Sequence, residues 1–236
     1  PVAAELSRHT RNAVHVITTF DSGGSSAELR RIFDMPAVGD IRARIMALAD
    51  RSLEGNPEIV ELLGCRLPKD AGPEALHREL ASLASGAHPL VAAIPEPMNE
   101  VVTQHLSAFR ALMPADMDLA GASIGNLILT SGYLSLDRQL EPVVRVFSGM
   151  VQARGVVMPV SDSCAHLCVQ LENGEVIVGQ HRFTGKTATA VTSPIRDMWL
   201  SASLDDPSPV SVPIQPRLAH VIRAADLICY PVGSFF

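Results

Sequence analysis

"ITTFDSGGSSAELRR", residues 17–31, passes from a β-branched run through an aspartate into paired glycines and serines, and then into helix-forming residues. Strand, Gly-Ser turn and helix in that order form the building step of an α/β chain. As a plain turn, the stretch needs only serines that cap the following helix and an aspartate of the kind turns favour. As a site, it offers more. Gly23 and Gly24 let the backbone approach a ligand, amides at a helix start favour an anion, and Ser25 and Ser26 add hydroxyl donors. Asp21 then stands at the strand end, placed for a divalent cation or for a ligand hydroxyl. The spacing is not the G-x-G-x-x-G of a dinucleotide site.

The surrounding pattern supports the α/β reading. Residues 13–19, "AVHVITT", predict a short buried strand, and Ser26 is the expected N-cap of a helix over "AELRRIF". "GDIRARIMALAD" predicts a second helix capped by Asp40, with Ile41, Ile45, Leu48 and Ala49 on one face. Residues 56–113 read as a helical insertion or subdomain with starts led by Pro57, Pro73 and Pro97. Its amphipathic face is Val101, Val102, Leu106, Phe109, Leu112 and Met113. "GCRLPKDAGPEA" and "SGAHPLVAAIPEP" read as linkers within it. A glycine-rich turn then precedes an apolar helix in "GASIGNLILTSGYLSLDRQL".

Toward the C-terminus, "GVVMPVS" predicts a strand, and "AHLCVQLENGEVIVGQHRF" a β-hairpin turning on Asn173-Gly174. "IRDMWLSAS" predicts a strand, "QPRLAHVIRAA" a helix, and "DLICYPVGSFF" a strand entering a Gly-Ser loop. The expected fold is α/β and Rossmann-like: a mainly parallel sheet with flanking helices, a helical insertion and a β-hairpin. A single domain over 1–236 is expected. Both ends read as trimmed, since the sequence opens on Pro1 and stops at Phe236.

Composition narrows the function. Hydrophobic residues make up 47% of the chain and aromatics 4%, so aliphatic side chains carry the core. The net charge is −6 with no basic block, which argues against a nucleic-acid partner. No uninterrupted apolar run approaches the ~18 residues of a membrane span, and no signal peptide is visible. Cys65, Cys164, Cys168 and Cys229 do not form the dense framework of a small secreted domain, and reduced thiols in the cytoplasm are the expectation.

Ligands of open α/β sheets sit at the carboxyl ends of strands, which directs attention to the loops. Besides 20–26, "PAVGDIR" places Asp40 and Arg42 at a helix start. Asp40 is a cap in the bland reading, and Arg42 is placed to pair with phosphate, or with Asp21 or Asp34. "GASIGNLIL" crowds Ser123, Gly125 and Asn126 at the start of an apolar helix, where an asparagine both donates and accepts, as a ribose or a base edge requires; capping is the alternative. "YPVGSFF" adds Gly233 and Ser234.

Two other stretches imitate sites. "GQHRFTGKT" resembles a P-loop but has five residues between its glycines instead of four. "CAHLC" places Cys164, His166 and Cys168 on one face of a strand. A zinc site needs a fourth ligand and usually closer cysteines, so a strand face is the expectation.

Taken together and in order, "FDSGGSSAELRR", "PAVGDIRARIMALAD", "ASIGNLIL", "VMPVSD" and "AADLICYPVGSFF" resemble the CofD-like family, which includes 2-phospho-L-lactate transferase and the YvcK-type proteins. The YvcK branch shows Asp-Asp-Gly-Gly-Ser-Ser where this chain has Asp21-Ser22-Gly23-Gly24-Ser25-Ser26. Pro231 stands for the first glycine of the closing loop, the family's glycine-rich N-terminal loop is absent, and the block at 56–113 matches poorly.

The resemblance implies a Rossmann-like domain that binds a nucleotide-diphosphate-linked small molecule, GDP- or UDP-linked. In the transferase branch a phosphorylated group passes to an acceptor hydroxyl with magnesium assisting. In the YvcK branch a UDP-sugar or nucleotide is bound for regulation without turnover. The leading expectation is transfer, with magnesium as the candidate cation. Asp21 is the candidate catalytic residue or metal ligand. Gly23, Gly24, Ser25, Ser26, Asp40, Arg42, Ser123, Gly125, Asn126, Gly233 and Ser234 are the candidate ligand contacts. A homodimer is a compatible assembly, and neither nucleic acid nor membrane is an expected partner.

Overall fold

The computed structural model describes residues 2–10, 12–184, 191 and 193–230. In chain order its elements are α1 Val2–His9, β1 Val14–Ile17, α2 Gly24–Phe33, α3 Gly39–Leu48, α4 Asn56–Gly64, α5 Pro73–Ala84, α6 Pro89–Ala92, α7 Met98–Leu112, α8 Ile124–Ser135, α9 Leu140–Met150, β2 Val156–Pro159, β3 His166–Leu171, β4 Val176–Val178, β5 Ile195–Ser201 and α10 Pro216–Arg223, with a 3-10 turn at Gln180–Arg182. The class is mixed α/β. β1 pairs with β2 as the parallel part, flanked by helices, and β4-β3-β5 form a separate antiparallel sheet. The chain divides into two compact units, one of Pro1–Ile17 with Val38–Met158, the other of Thr18–Ala37 with Pro159–Phe236.

The first unit is built around α8. Every residue from Ile124 to Tyr133 is buried, and α3, α4, α7 and α9 lie against it. α8 is thus a core helix buried on every side, mostly apolar but with Asn126, Thr130 and Ser131 buried in it as well. Gly132 lets α9 come close: a Cβ there would stand 2.2 Å from Val143 Cγ2. α7 contributes Val102, Leu106 and Phe109, which are fully buried at helical spacing and worth about 2 kcal/mol each. A polar knot ties three helix ends together. Asp50 accepts from Arg154 at 2.8 Å and from the Ser52 hydroxyl at 2.6 Å. The Asn56 amide donates to the carbonyls of Asp50 and Val151 at 2.8 and 3.0 Å.

The second unit carries the antiparallel sheet, α2 and α10. β3 is central, with Cys168 opposite Val178 on one side and Trp199 on the other. The segment entering α2 is fixed at its root. The Thr19 hydroxyl donates to the Ser161 carbonyl at 3.1 Å, and the Ala37 amide to the Thr19 carbonyl at 2.8 Å.

Several local expectations are corrected. The expected buried strand at 13–19 is shorter, and Val14 and Val16 are exposed, since among the described residues β1 pairs with β2 alone. α2 starts at Gly24, ahead of Ser26, because the turn closes through Asp21 and not through a serine cap. Asp40 lies in the first turn of α3 while Val38 holds the cap position; its carboxylate favours the helix start by charge. The hairpin forms, yet only Gly174 of the turn pair has positive φ, at +89°, so it is not the two-residue turn that Asn-Gly suggests. Leu112 of the α7 face is exposed at the helix end. No strand forms over 226–230, where Leu227 and Tyr230 are almost fully exposed. Pro231, Gly233 and Ser234 of the closing loop, and Gly185-Lys186-Thr187 of the P-loop look-alike, lie outside the described residues.

Candidate functional site

In the second unit the Gly-Ser loop is built by its own aspartate. Asp21 Oδ1 accepts from the Gly23 amide at 3.1 Å, turning the chain upward into α2. Gly24 follows at φ +57°, a left-handed conformation that favours glycine. Asp21, Ser22, Gly23, Gly24, Ser25 and Ser26 are thereby brought together at one helix start.

Arg30, one of the buried charges of the chain, holds this loop from below. Its Nη1 donates to the carbonyls of Phe20 and Asp21 at 3.2 and 2.8 Å, and Nε to the Met35 carbonyl at 3.2 Å. Nη2 donates to the Ala165 carbonyl and lies 3.6 Å from Cys164 Sγ. A guanidinium has five N–H donors in a rigid fork. Here the fork clamps the end of the 18–21 segment, the turn after α2 and the entry to β3. Cys164 donates to the Met35 carbonyl at 3.3 Å, and burial pushes its thiol up from the ordinary range.

Two histidines complete this region. Ser22 Oγ is 2.7 Å from His181 Nδ1 and accepts the His181 amide at 3.3 Å. His166, at the start of β3, titrates at about 4, because burial and then the nearby Arg30 charge disfavour its protonation. Its Nδ1 is buried with no hydrogen-bond partner among the described residues. Cys164 and Cys168 do not join it as ligands, and among the described residues no three His, Cys, Asp or Glu side chains gather to hold a metal.

The first unit holds the other candidates: Asp40, Arg42, Ser123, Gly125 and Asn126. Segment 65–67 runs antiparallel to 122–124, through Leu67 N–H to the Ala122 carbonyl at 2.9 Å and Ile124 N–H to the Cys65 carbonyl at 3.0 Å. That pairing sets the loop ahead of α8. Arg42 Nη1 donates to the Leu63 carbonyl at 3.2 Å and to Ser123 Oγ. The Ser123 hydroxyl therefore receives a guanidinium and does not cap α8. Burial, then the Arg66 charge, pushes the Arg42 pKa down. Gly125 is the space through which Arg42 passes: a Cβ would meet Arg42 Cδ at 2.6 Å and the Leu63 carbonyl at 2.7 Å. Arg66 donates to the Gly121 carbonyl at 3.1 Å, and Asn126 is buried within α8.

Arg30 and His181 do not stand out in the sequence, and His166 enters it only on the strand face of "CAHLC". Arg30 is the arginine of the Leu-Arg pair that follows the Gly-Ser loop. His181 lies inside the P-loop look-alike, so the wrong motif covers a side chain of the Gly-Ser loop.

The family profile described as 2-phospho-L-lactate transferase CofD matches residues 2–236. The uncharacterized protein YNL011C of Saccharomyces cerevisiae is 30% identical over 181 residues, 72% of this chain and 39% of its own length. The gluconeogenesis factor of Bacillus subtilis is 25% identical over 221 residues, 94% of this chain and 50% of its own. The crystal structure of protein BH3568 from Bacillus halodurans superposes with a TM-score of 0.61 at 21% identity, over 95% of this chain and 53% of that one. This likeness shows the fold. The chain spans about half the length, or less, of the relatives it matches.

Proposed function

Because this chain belongs to the CofD family, we propose that it binds a nucleotide-diphosphate-linked small molecule at the Gly-Ser loop and moves the phosphorylated group to an acceptor hydroxyl. The observation that carries this reading is the loop itself: Asp21 beside the Gly23-Gly24 turn, braced by the Arg30 fork. Transfer of a phosphorylated group depends on positioning and charge stabilisation more than on covalent chemistry. Amides at the start of α2 suit phosphate oxygens. Asp21 Oδ1 holds the turn, and its carboxylate is the group proposed to orient the acceptor hydroxyl.

Magnesium fits only in part. It usually takes one or two carboxylates and completes its shell with water and substrate phosphates. Asp21 supplies one carboxylate, which suits an ion carried in with a diphosphate and not one caged by protein alone. Such an ion would neutralise charge on the diphosphate. The group around Ser123 is assigned a framework role, since Arg42 is committed to Leu63 and Ser123.

A thermal-shift and calorimetric screen of GDP, UDP and their sugar conjugates, with and without magnesium, tests binding. A ligand at a hundred times its Kd raises stability by about 2.7 kcal/mol. Asp21→Asn is expected to abolish turnover with the melting temperature retained; full turnover in that variant refutes the assignment. A second reading is binding for regulation without turnover. It is favoured by the gluconeogenesis-factor relatives and by Ser22 beside the lone Asp21 carboxylate. One equivalent bound with no product over many hours selects it.

A further inference from the structure

His181 is fixed more tightly than a surface histidine needs to be. Gly23 and Gly179 both make room for it. A Cβ on Gly23 would stand 3.3 Å from His181 Cβ, and one on Gly179 3.0 Å from Cε1 and 3.2 Å from Nδ1. Gly179 has φ +95°, so the backbone favours glycine there as well. The third restraint is Ser22, whose hydroxyl is buried.

Hydrogen accounting then sets the tautomer. Ser22 Oγ accepts the His181 amide. Its own hydrogen has one acceptor among the described residues, His181 Nδ1 at 2.7 Å. A buried hydroxyl that leaves its hydrogen unused loses about 1–3 kcal/mol, so Ser22 donates and Nδ1 carries no proton. The ring proton therefore resides on Nε2, as a neutral imidazole requires. Nε2 has no hydrogen-bond partner among the described residues, and His181 is part-exposed.

We propose that His181, positioned by Ser22, donates its Nε2–H to an anionic oxygen of the ligand bound at the Gly-Ser loop, and that this contact does not require a metal ion. The inference rests on the function proposed above and adds a residue to the same site. Ser22 is the positioning residue and His181 the ligand-touching one. A hydrogen bond to a charged oxygen is worth about tenfold in affinity or more.

The test uses the full chain with GDP and UDP as probes. Nitrogen-15 NMR of the histidine rings is expected to show His181 unprotonated at Nδ1 and protonated at Nε2, with Ser22→Ala mixing the tautomers. Calorimetry in EDTA is expected to give wild-type binding, a loss of about tenfold or more in His181→Ala, and partial rescue in His181→Gln, whose amide supplies a donor near the lost one. A smaller loss is expected in Ser22→Ala. Should His181→Ala fail to fold, the tautomer measurement and Ser22→Ala decide. A proton on Nδ1 in wild type, or binding that vanishes in EDTA and returns with magnesium, overturns this inference and leaves the function reading standing. Absence of GDP and UDP binding in both buffers overturns the function reading and this inference with it.

Discussion

Single side chains decide the local architecture by what they fill or clamp. Replacing Arg30 with Ala removes the donors shared by the carbonyls of Phe20, Asp21, Met35 and Ala165. It is expected to lower the unfolding free energy by about 3 kcal/mol in urea titration. Lysine is expected to restore little, because a point charge cannot reproduce the fork. Gly125→Ala is expected to cost about 2 kcal/mol, since the new methyl meets the Leu63 carbonyl, a backbone group that cannot swing aside. Gly149→Ala, with nothing near its built Cβ, is expected to stabilise α9 by about 0.5 kcal/mol. Both glycines lie in helices, and only the neighbours separate them. For His166, the folded protein resists protonation until about pH 4, against 6.5 for a free ring. The unfolded chain therefore takes up this proton first as pH falls from 6.5 toward 4, and stability drops over that window. An NMR titration is expected to show the His166 ring neutral at pH 5.5.

At the scale of elements, junctions matter more than interiors. Asp50 lies just past the end of α3 and holds Arg154, which precedes β2. The Arg154 and Ser52 hydrogen bonds bring the Asp50 carboxyl down from 3.8 to about 2. Its contribution is therefore full above the ordinary carboxylate range and is lost as pH falls through about 2. Asp50→Asn is expected to shift the urea midpoint at neutral pH, and the difference from wild type is expected to shrink between pH 4 and 2. Helix existence was legible from prolines and apolar spacing, as in α4, α5 and α7. Helix starts were less so. A serine or aspartate near a helix start reads as a cap, yet at Ser26 and Asp40 neighbouring backbone geometry placed the first turn earlier.

At the scale of the molecule, the chain holds two compact units. Trp199, the one tryptophan, lies on β5 in the second unit, while α3–α9 dominate the first. Each unit has its own buried side chains, so each is expected to unfold as its own cooperative step. Thermal curves followed by Trp199 fluorescence and by far-ultraviolet circular dichroism are expected to have different midpoints; coincident curves would establish a single cooperative block.

The order of residues by itself determined the α/β class, the helical block at 56–113, the hairpin and the Gly-Ser turn ahead of α2. These depend on short-range spacing, turn chemistry and apolar period, which are written along the chain. Tertiary structure decided which polar groups meet. Ser22 and His181 are 159 positions apart, and Arg30 and Ala165 are 135 apart. Likewise, that Gly125 exists to admit Arg42 follows from two helices packed side by side. Hydrogen bonding and close packing act through space at about 3 Å, and no local pattern records which distant partner will arrive there.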